Sequence, residues 1–236
     1  MVGFAVLGLV GCAAAEPTGG TETGGDPPEG SETAAAGSGD GAAVGQGWFR
    51  VNLGFVSAYV LVRGGEAALV DTGTSGSAEA VGAVLTEAGT GWDRLRHVIL
   101  THKHDDHAGG AVEVLREATN ATGYVGEADL AALPATKLSA LRDGDEVFGL
   151  QIVGTPGHTA GHMAVWEPES RVLVAGDALN NDGALSGANP QYSEDMNTAA
   201  ESVRKLATLA PATILVGHGS PLEDAAAQLT RLAAST

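Results

Sequence analysis

The chain has 236 residues, room for one domain with appendages and a sizeable core, and its 44% hydrophobic content with 35 glycines suits a compact α/β protein with many tight turns. A formal net charge of -17, with 12 Lys and Arg against 29 Asp and Glu, argues against a nucleic-acid partner, which needs a basic face, and against adhesion to anionic lipid through charge. Cys12 is the only cysteine, so no intramolecular disulfide can form.

Val2 to Val10 is an almost wholly apolar run, too short to span a bilayer. It ends in Leu9-Val10-Gly11-Cys12, which resembles the lipobox of bacterial lipoproteins. That resemblance implies a signal segment over residues 1–12, lipidation of Cys12, and an extracytoplasmic protein whose one membrane contact is the lipid. Residues 13–46 hold nine Gly, eight Ala, three Pro, six acids and no base, and apart from Ala their only apolar residue is Val44. Such a stretch buries too little surface to offset chain entropy and is expected to be a disordered tether, with a root-mean-square reach of roughly 30 Å.

A folded domain is expected from Gly47 to Thr236. Trp48 to Val51, Ser57 to Val62 and Glu66 to Asp71 read as short strands, with Arg63-Gly64-Gly65 as a hairpin turn. Ser77 to Ala88 carries Val81, Val84, Leu85 and Ala88 on one helical stripe, and Leu95 to Leu100 is a strand on which His97 reads as structural. Next comes Thr101-His102-Lys103-His104-Asp105-Asp106-His107-Ala108-Gly109-Gly110, with three histidines and an aspartate in six positions after a buried strand end. In an extended segment residues two apart point the same way, so His102 and His104 reach one ion together. Asp106 and His107, where the chain turns into a helix, reach a second. Imidazole nitrogen and carboxylate oxygen are ligands that zinc takes readily.

Ala108 to Ala118 is expected as a helix, Gly123 to Gly126 as a strand and Glu127 to Leu133 as a short helix stopped by Pro134. The outline then repeats, with strands at Glu146 to Val153, His162 to Glu167 and Arg171 to Gly176. A helix from Glu194 to Ala210 follows, with Ser193 as N-cap, then a strand at Thr213 to Val216 and a helix from Pro221 to Leu232. Two halves of strands followed by helices suggest two sheets face to face with helices outside.

The spacing H-x-H-x-D-H with its flanking Thr101 and Gly109-Gly110 resembles the signature of the metallo-β-lactamase-fold hydrolase superfamily. The resemblance implies an αββα four-layer sandwich and assigns the remaining ligands in order: His158, in Gly154-Thr155-Pro156-Gly157-His158-Thr159-Ala160-Gly161-His162, Asp177 after the strand Arg171 to Gly176, and His218 after Thr213 to Gly217. His102, His104 and His158 then hold the first of two divalent metal ions, Asp106, His107 and His218 the second, and Asp177 bridges them. Zinc is the expected metal, with manganese or iron as alternatives. Asp71, in Asp71-Thr72-Gly73, matches the family's aspartate that orients a metal-bound histidine.

The implied activity is hydrolysis of a small ester, thioester, lactone or amide by a metal-bridging hydroxide, with Asp106 holding the nucleophilic water and carrying its proton to the leaving group. Aspartate at position 177, rather than Cys or Ser, resembles the glyoxalase II, lactonase and general hydrolase branches. The alternatives are a mononuclear iron oxygenase resembling persulfide dioxygenases and a noncatalytic metal-binding lipoprotein. Phe55, in a hairpin turn between the first two strands, and Tyr192, in the loop from Asn180 to Ser193, are candidate aromatic neighbours of the substrate.

Overall fold

The computed structural model describes residues 42–134 and 137–236. The expected signal segment, Cys12 and most of the expected tether fall on residues 1–41 and lie outside the described residues. At the end of that stretch Ala43–Gly45 forms a strand, β1, against β2 (Trp48–Asn52), so the sheet begins before Gly47.

Two halves share one plan. In the first, β2, β3 (Ser57–Arg63) and β4 (Glu66–Val70) form an antiparallel meander. Helix α1 (Ala78–Glu87) then crosses over to β5 (Leu95–Leu100), parallel to β4. Helices α2 (Asp105–Ala108) and α3 (Ala111–Glu117) lead to β6 (Thr122–Gly126), and β7 (Leu138–Leu141) closes the seven-stranded sheet. In the second half, β8 (Glu146–Val147), β9 (Leu150–Gly154), β10 (Met163–Glu167) and β11 (Val172–Gly176) repeat the meander. A hairpin of β12 (Leu179–Asn181) and β13 (Leu185–Gly187) follows, and α4 (Met196–Ala207) crosses to β14 (Thr213–Val216), parallel to β11. A short β15 (Leu222–Glu223) and α5 (Ala226–Ser235) complete the chain.

Strand alternation builds the layers. On β3, Ala58 and Val60 face outward to Val81 and Leu85 of α1, while Tyr59 and Leu61 face inward to Ile152, Val165 and Val174 of the other sheet. A third apolar layer joins Leu173 and Ile214 to Val203, Leu206 and Leu229 of α4 and α5. Helix, sheet, sheet, helix is the αββα sandwich. Each fully buried aliphatic side chain in these layers contributes about 1.5–3 kcal/mol. Polar ties cross between the sheets as well: Trp48 Nε1 donates to Glu167 Oε2 at 2.7 Å, and the Tyr59 hydroxyl donates to Val216 O at 2.8 Å. Burial pushes the Tyr59 phenol up to about 12, so it stays a donor.

Several element boundaries differ from the sequence reading. The helix expected from Ala108 breaks at Gly109-Gly110, where added Cβ atoms would lie 2.3 Å from Asp105 O and 2.4 Å from Thr72 O; the Thr72–Ser75 loop packs into that gap. Glu146 to Val153 is a hairpin turning at Phe148 and Gly149, both at positive φ, rather than one strand. Glu127 to Leu133 reduces to a 3-10 turn at Leu130–Ala132, and the cap of α4 is Asp195, not Ser193. The strands β7, β12, β13 and β15 had no counterpart in the expected elements.

Candidate metal centre

The C-terminal ends of β5, β11 and β14 and the turn after β9 deliver the seven expected ligands to one cluster, and the end of β4 adds Asp71. His102 stays extended after β5, and His104, with φ -65° and ψ 147°, is the last extended residue before the single turn of α2 swings Asp106 and His107 inward. His102 Nε2, His104 Nδ1 and His158 Nε2 form a triangle with edges of 3.1, 2.9 and 3.2 Å. Beside it, His218 Nε2 lies 3.4 Å from His107 Nε2 and 3.2 Å from Asp106 Oδ2. Asp177 stands between the two groups, with Oδ1 3.2 Å from His107 Nε2 and Oδ2 3.3 Å from His218 Nε2 and 3.5 Å from His158 Nε2.

The outer nitrogens of these rings are tied to fixed partners. Thr101 Oγ1 gives its one hydrogen to Asp71 Oδ2 at 2.9 Å, so at 3.0 Å it accepts from His102 Nδ1–H. Ser193 Oγ donates to Asn189 O at 2.7 Å and accepts from His158 Nδ1–H at 3.1 Å. His218 Nδ1–H donates to Phe55 O and His107 Nδ1–H to Asp71 Oδ2, both at 2.8 Å. Thr72 holds the other end of His107, its N–H and hydroxyl both reaching His107 O. Four rings thereby turn Nε2 toward the cluster, the arrangement a metal requires of its imidazoles.

The donor set fits divalent metal. Nitrogens about 2.05 Å from a tetrahedral zinc lie roughly 3.3 Å apart, close to the edges of the histidine triangle. Asp177 Oδ1 is buried; it meets His107 Nε2 at 3.2 Å and makes no hydrogen bond of good geometry among the described residues. A buried carboxylate costs free energy unless a cation meets it, and a metal ion shared with the facing imidazoles would supply that charge. His102, His104 and His158, then His102, His107 and Asp177, and then Asp106, His107 and His218 are each grouped closely enough to share an ion.

The sequence profile of the metallo-beta-lactamase superfamily matches residues 51–218. The chain belongs to the metallo-β-lactamase superfamily. The superfamily binds divalent metals, and its membership places this chain among metal-dependent hydrolases. It is 33% identical to the probable metallo-hydrolase YflN of Bacillus subtilis, over 70% of this chain and 80% of that protein. It is 36% identical to a hydroxyacylglutathione hydrolase of Fuscovulum blasticum over 65% of this chain, and spans 58% of that enzyme's length. Among solved structures, a metallo-β-lactamase family protein from Thermus thermophilus superposes with a TM-score of 0.62 at 27% identity, covering 76% of this chain and 74% of that one.

Electrostatics divides the cluster of this superfamily member in two. Burial pushes His102 well below the ordinary imidazole range and His158 down to about 4, so both rings are neutral at pH 7. Burial opposes charge on His107 too, but Asp71 and Asp177 hold it well above the ordinary value. Hydrogen bonds to Asp106 and Asp177 raise His218 to about 10. Burial alone would raise Asp177, and His107 and His218 instead hold it well below the carboxylate range.

Residues that the sequence reading had not singled out frame the site. Asp129, fully buried, accepts from the Lys103 N–H at 3.1 Å, between two histidines of the triangle, from Thr159 Oγ1 at 2.6 Å and from the Gly161 N–H at 3.0 Å, close in the chain to His158. Lys103 Nζ continues to Glu194 at 2.6 Å, and Glu194 returns to the Ala160 N–H. His162, which the sequence leaves open as either the start of a strand or a support behind the ligands, sits within the cluster, where its Nε2 accepts the Asp177 N–H at 3.0 Å. No local pattern marks Asp129; it lies in what reads as a short helix. The two aromatic candidates, Phe55 and Tyr192, both border the hollow above the ligands, and the Phe55 ring stacks near His218 with centroids 6.2 Å apart.

Proposed function

We propose that this chain is a dinuclear metallohydrolase, with zinc as its metal, that cleaves a small ester, thioester, lactone or amide. His102, His104 and His158 hold one ion, Asp106, His107 and His218 the other, and Asp177 contacts both. The observation that carries this reading is the pair of ligand groups joined by one buried carboxylate, Asp177, whose Oδ1 lies 3.2 Å from His107 Nε2 and whose Oδ2 lies 3.3 Å from His218 Nε2 and 3.5 Å from His158 Nε2. Two divalent ions bound there supply a hydroxide nucleophile near neutral pH and a Lewis acid for the carbonyl oxygen.

The chain's own groups do the rest. Asp106 borders the open hollow. Burial alone would raise its pKa, but the hydrogen bond to His218 and the charge of His107 hold it below the ordinary carboxylate value. It is therefore an ionised acceptor at the cleft, able to orient a water and to carry a proton to the leaving group. Phe55 and Tyr192 flank the hollow and offer apolar contact to a substrate seated there. The same reading puts a lipid on Cys12 outside the cell, a proposal that rests on the apolar run and lipobox resemblance alone.

The test is metal content per chain together with hydrolysis of lactones, thioesters and aryl esters by the same sample. Two metal ions per chain, and turnover that a chelator and His104→Ala each abolish, support the proposal. One iron per chain with oxygen consumption on a persulfide overturns it.

A further inference from the structure

The cleft over the ligand cluster has two halves that meet at Asp177, His218 and Tyr192. One, of about 460 Å³, runs between Phe55 and Tyr192 above the ligands. These two rings are 65% and 60% exposed, so the walls of this half are largely apolar. The other, of about 420 Å³, lies beneath the β12–β13 hairpin and the loop after it, where Asn180, Asp182, Ser186 and Asn189 supply its polar groups.

All twelve Lys and Arg of the sequence lie among the described residues, and none lines either half. Arg50 comes as close as the residue after His218, but its guanidinium is tied to Gly219 O at 2.8 Å and Ser57 Oγ at 2.9 Å. Lys103 is tied to Glu194 and Arg63 to Glu167. Among the described residues, Asp182 is the only charged group lining the polar half besides the ligands Asp177 and His218.

Building on the hydrolase reading, we infer that the substrate joins an apolar acyl group, seated between Phe55 and Tyr192, to a neutral or cationic leaving group seated beside Asp182. The metal site attracts every carbonyl alike, so discrimination between substrates comes from their remote ends. An anionic leaving group entering the polar half meets a carboxylate and no compensating base, and it approaches a chain of net charge -17. Glutathione carries two carboxylates and one ammonium, so its thioesters are disfavoured here.

Butanoyl thioesters of thiocholine, 2-mercaptoethanol, 3-mercaptopropionate and glutathione share one acyl group and differ in leaving-group charge. Thiol release is followed with the metal-loaded protein at low and high salt. The expected kcat/KM for the thiocholine ester exceeds that for the mercaptopropionate ester by about tenfold or more at low salt, with the ratio shrinking as salt screens it. Asp182→Asn narrows the ratio and Asp182→Lys inverts it. Equal or better hydrolysis of the anionic esters, or a preference that Asp182→Lys leaves untouched, overturns this inference while leaving the hydrolase reading standing. No hydrolysis of any of the four by protein holding two metals overturns this inference alone if the same sample cleaves a lactone or an aryl ester, and takes both down if it cleaves none of these.

Discussion

Asp71 Oδ2 lies 2.8 Å from His107 Nδ1 in a pocket with almost no solvent access, and the same carboxylate accepts both the N–H and the hydroxyl of Thr101. Asp71 itself is at φ 62°, a left-handed conformation that costs a non-glycine residue free energy and that Asp tolerates better than most. One buried side chain thereby orients His107 directly and His102 through Thr101.

Asp71→Asn should therefore weaken metal binding with little change in fold. The amide offers one acceptor oxygen where three donors converge, so one contact becomes donor against donor. A loss of about 10–100-fold in metal affinity is expected. Competition with a chromophoric chelator measures it; wild-type affinity for both ions would show that Asp71 does not orient the site.

Asp129→Ala addresses the frame rather than the ligands. It leaves the Lys103 N–H, the Thr159 hydroxyl and the Gly161 N–H without their acceptor in a buried place. A stability loss of about 2–4 kcal/mol is expected in denaturant unfolding. Asp129→Asn, which retains one acceptor, should fall between wild type and Ala. Equal stability of all three would remove Asp129 from the frame.

At Gly217 an added Cβ would lie 2.5 Å from His107 Cε1 and 2.6 Å from Asp177 Oδ1. No real Cβ sits so close, so Gly217→Ala must displace either the ring or the carboxylate. Turnover is expected to fall by about 100-fold or more through misplaced ligands. Secondary structure by circular dichroism should remain intact, because the clash is confined to the site. Wild-type kcat in this variant would contradict the cluster geometry.

Metal uptake should depend on pH differently at the two halves of the site. His102 and His158 are already neutral at pH 7, whereas His107 and His218 are held protonated by the acids they face, His218 up to about 10. An ion entering the second half must displace those protons, so its affinity rises with pH through the neutral and alkaline range. The first half, where His102 and His158 are already neutral, loses affinity in acid as His158 protonates near 4. Calorimetric titration in buffers of different ionisation enthalpy counts the protons released; equal release for both ions at pH 7 would contradict the division.

How much of this was legible in the residues follows from how local each interaction is. His102, His104, Asp106 and His107 are neighbours in the chain, and the alternation of a strand followed by one helical turn is enough to aim them, so their spacing carried the chemistry. His158, Asp177 and His218 are far apart in the chain and were legible only through the family resemblance, which the fold meets by bringing all three to one cluster. The αββα layering was readable because strands with two apolar faces, such as Ile152 to Gly154 and Val172 to Ala175, must be covered on both sides.

Contacts set by packing left no such trace. Asp129 reaches Lys103, Thr159 and Gly161 only because the sheets bring distant loops together, and its own neighbours in sequence read as an ordinary short helix. The break at Gly109-Gly110 depends on where the Thr72–Ser75 loop packs. The role of His162 depends on a backbone N–H fifteen residues away. Sequence by itself therefore determined the family resemblance, the class of chemistry and the layer order it implies, since these rest on the local spacing of the histidine motif and on burial period. Only the tertiary structure decided which nitrogen each histidine presents, what holds the ligands in place and the charge of the cleft they face, because hydrogen bonding and desolvation are settled by groups that the chain brings together from afar.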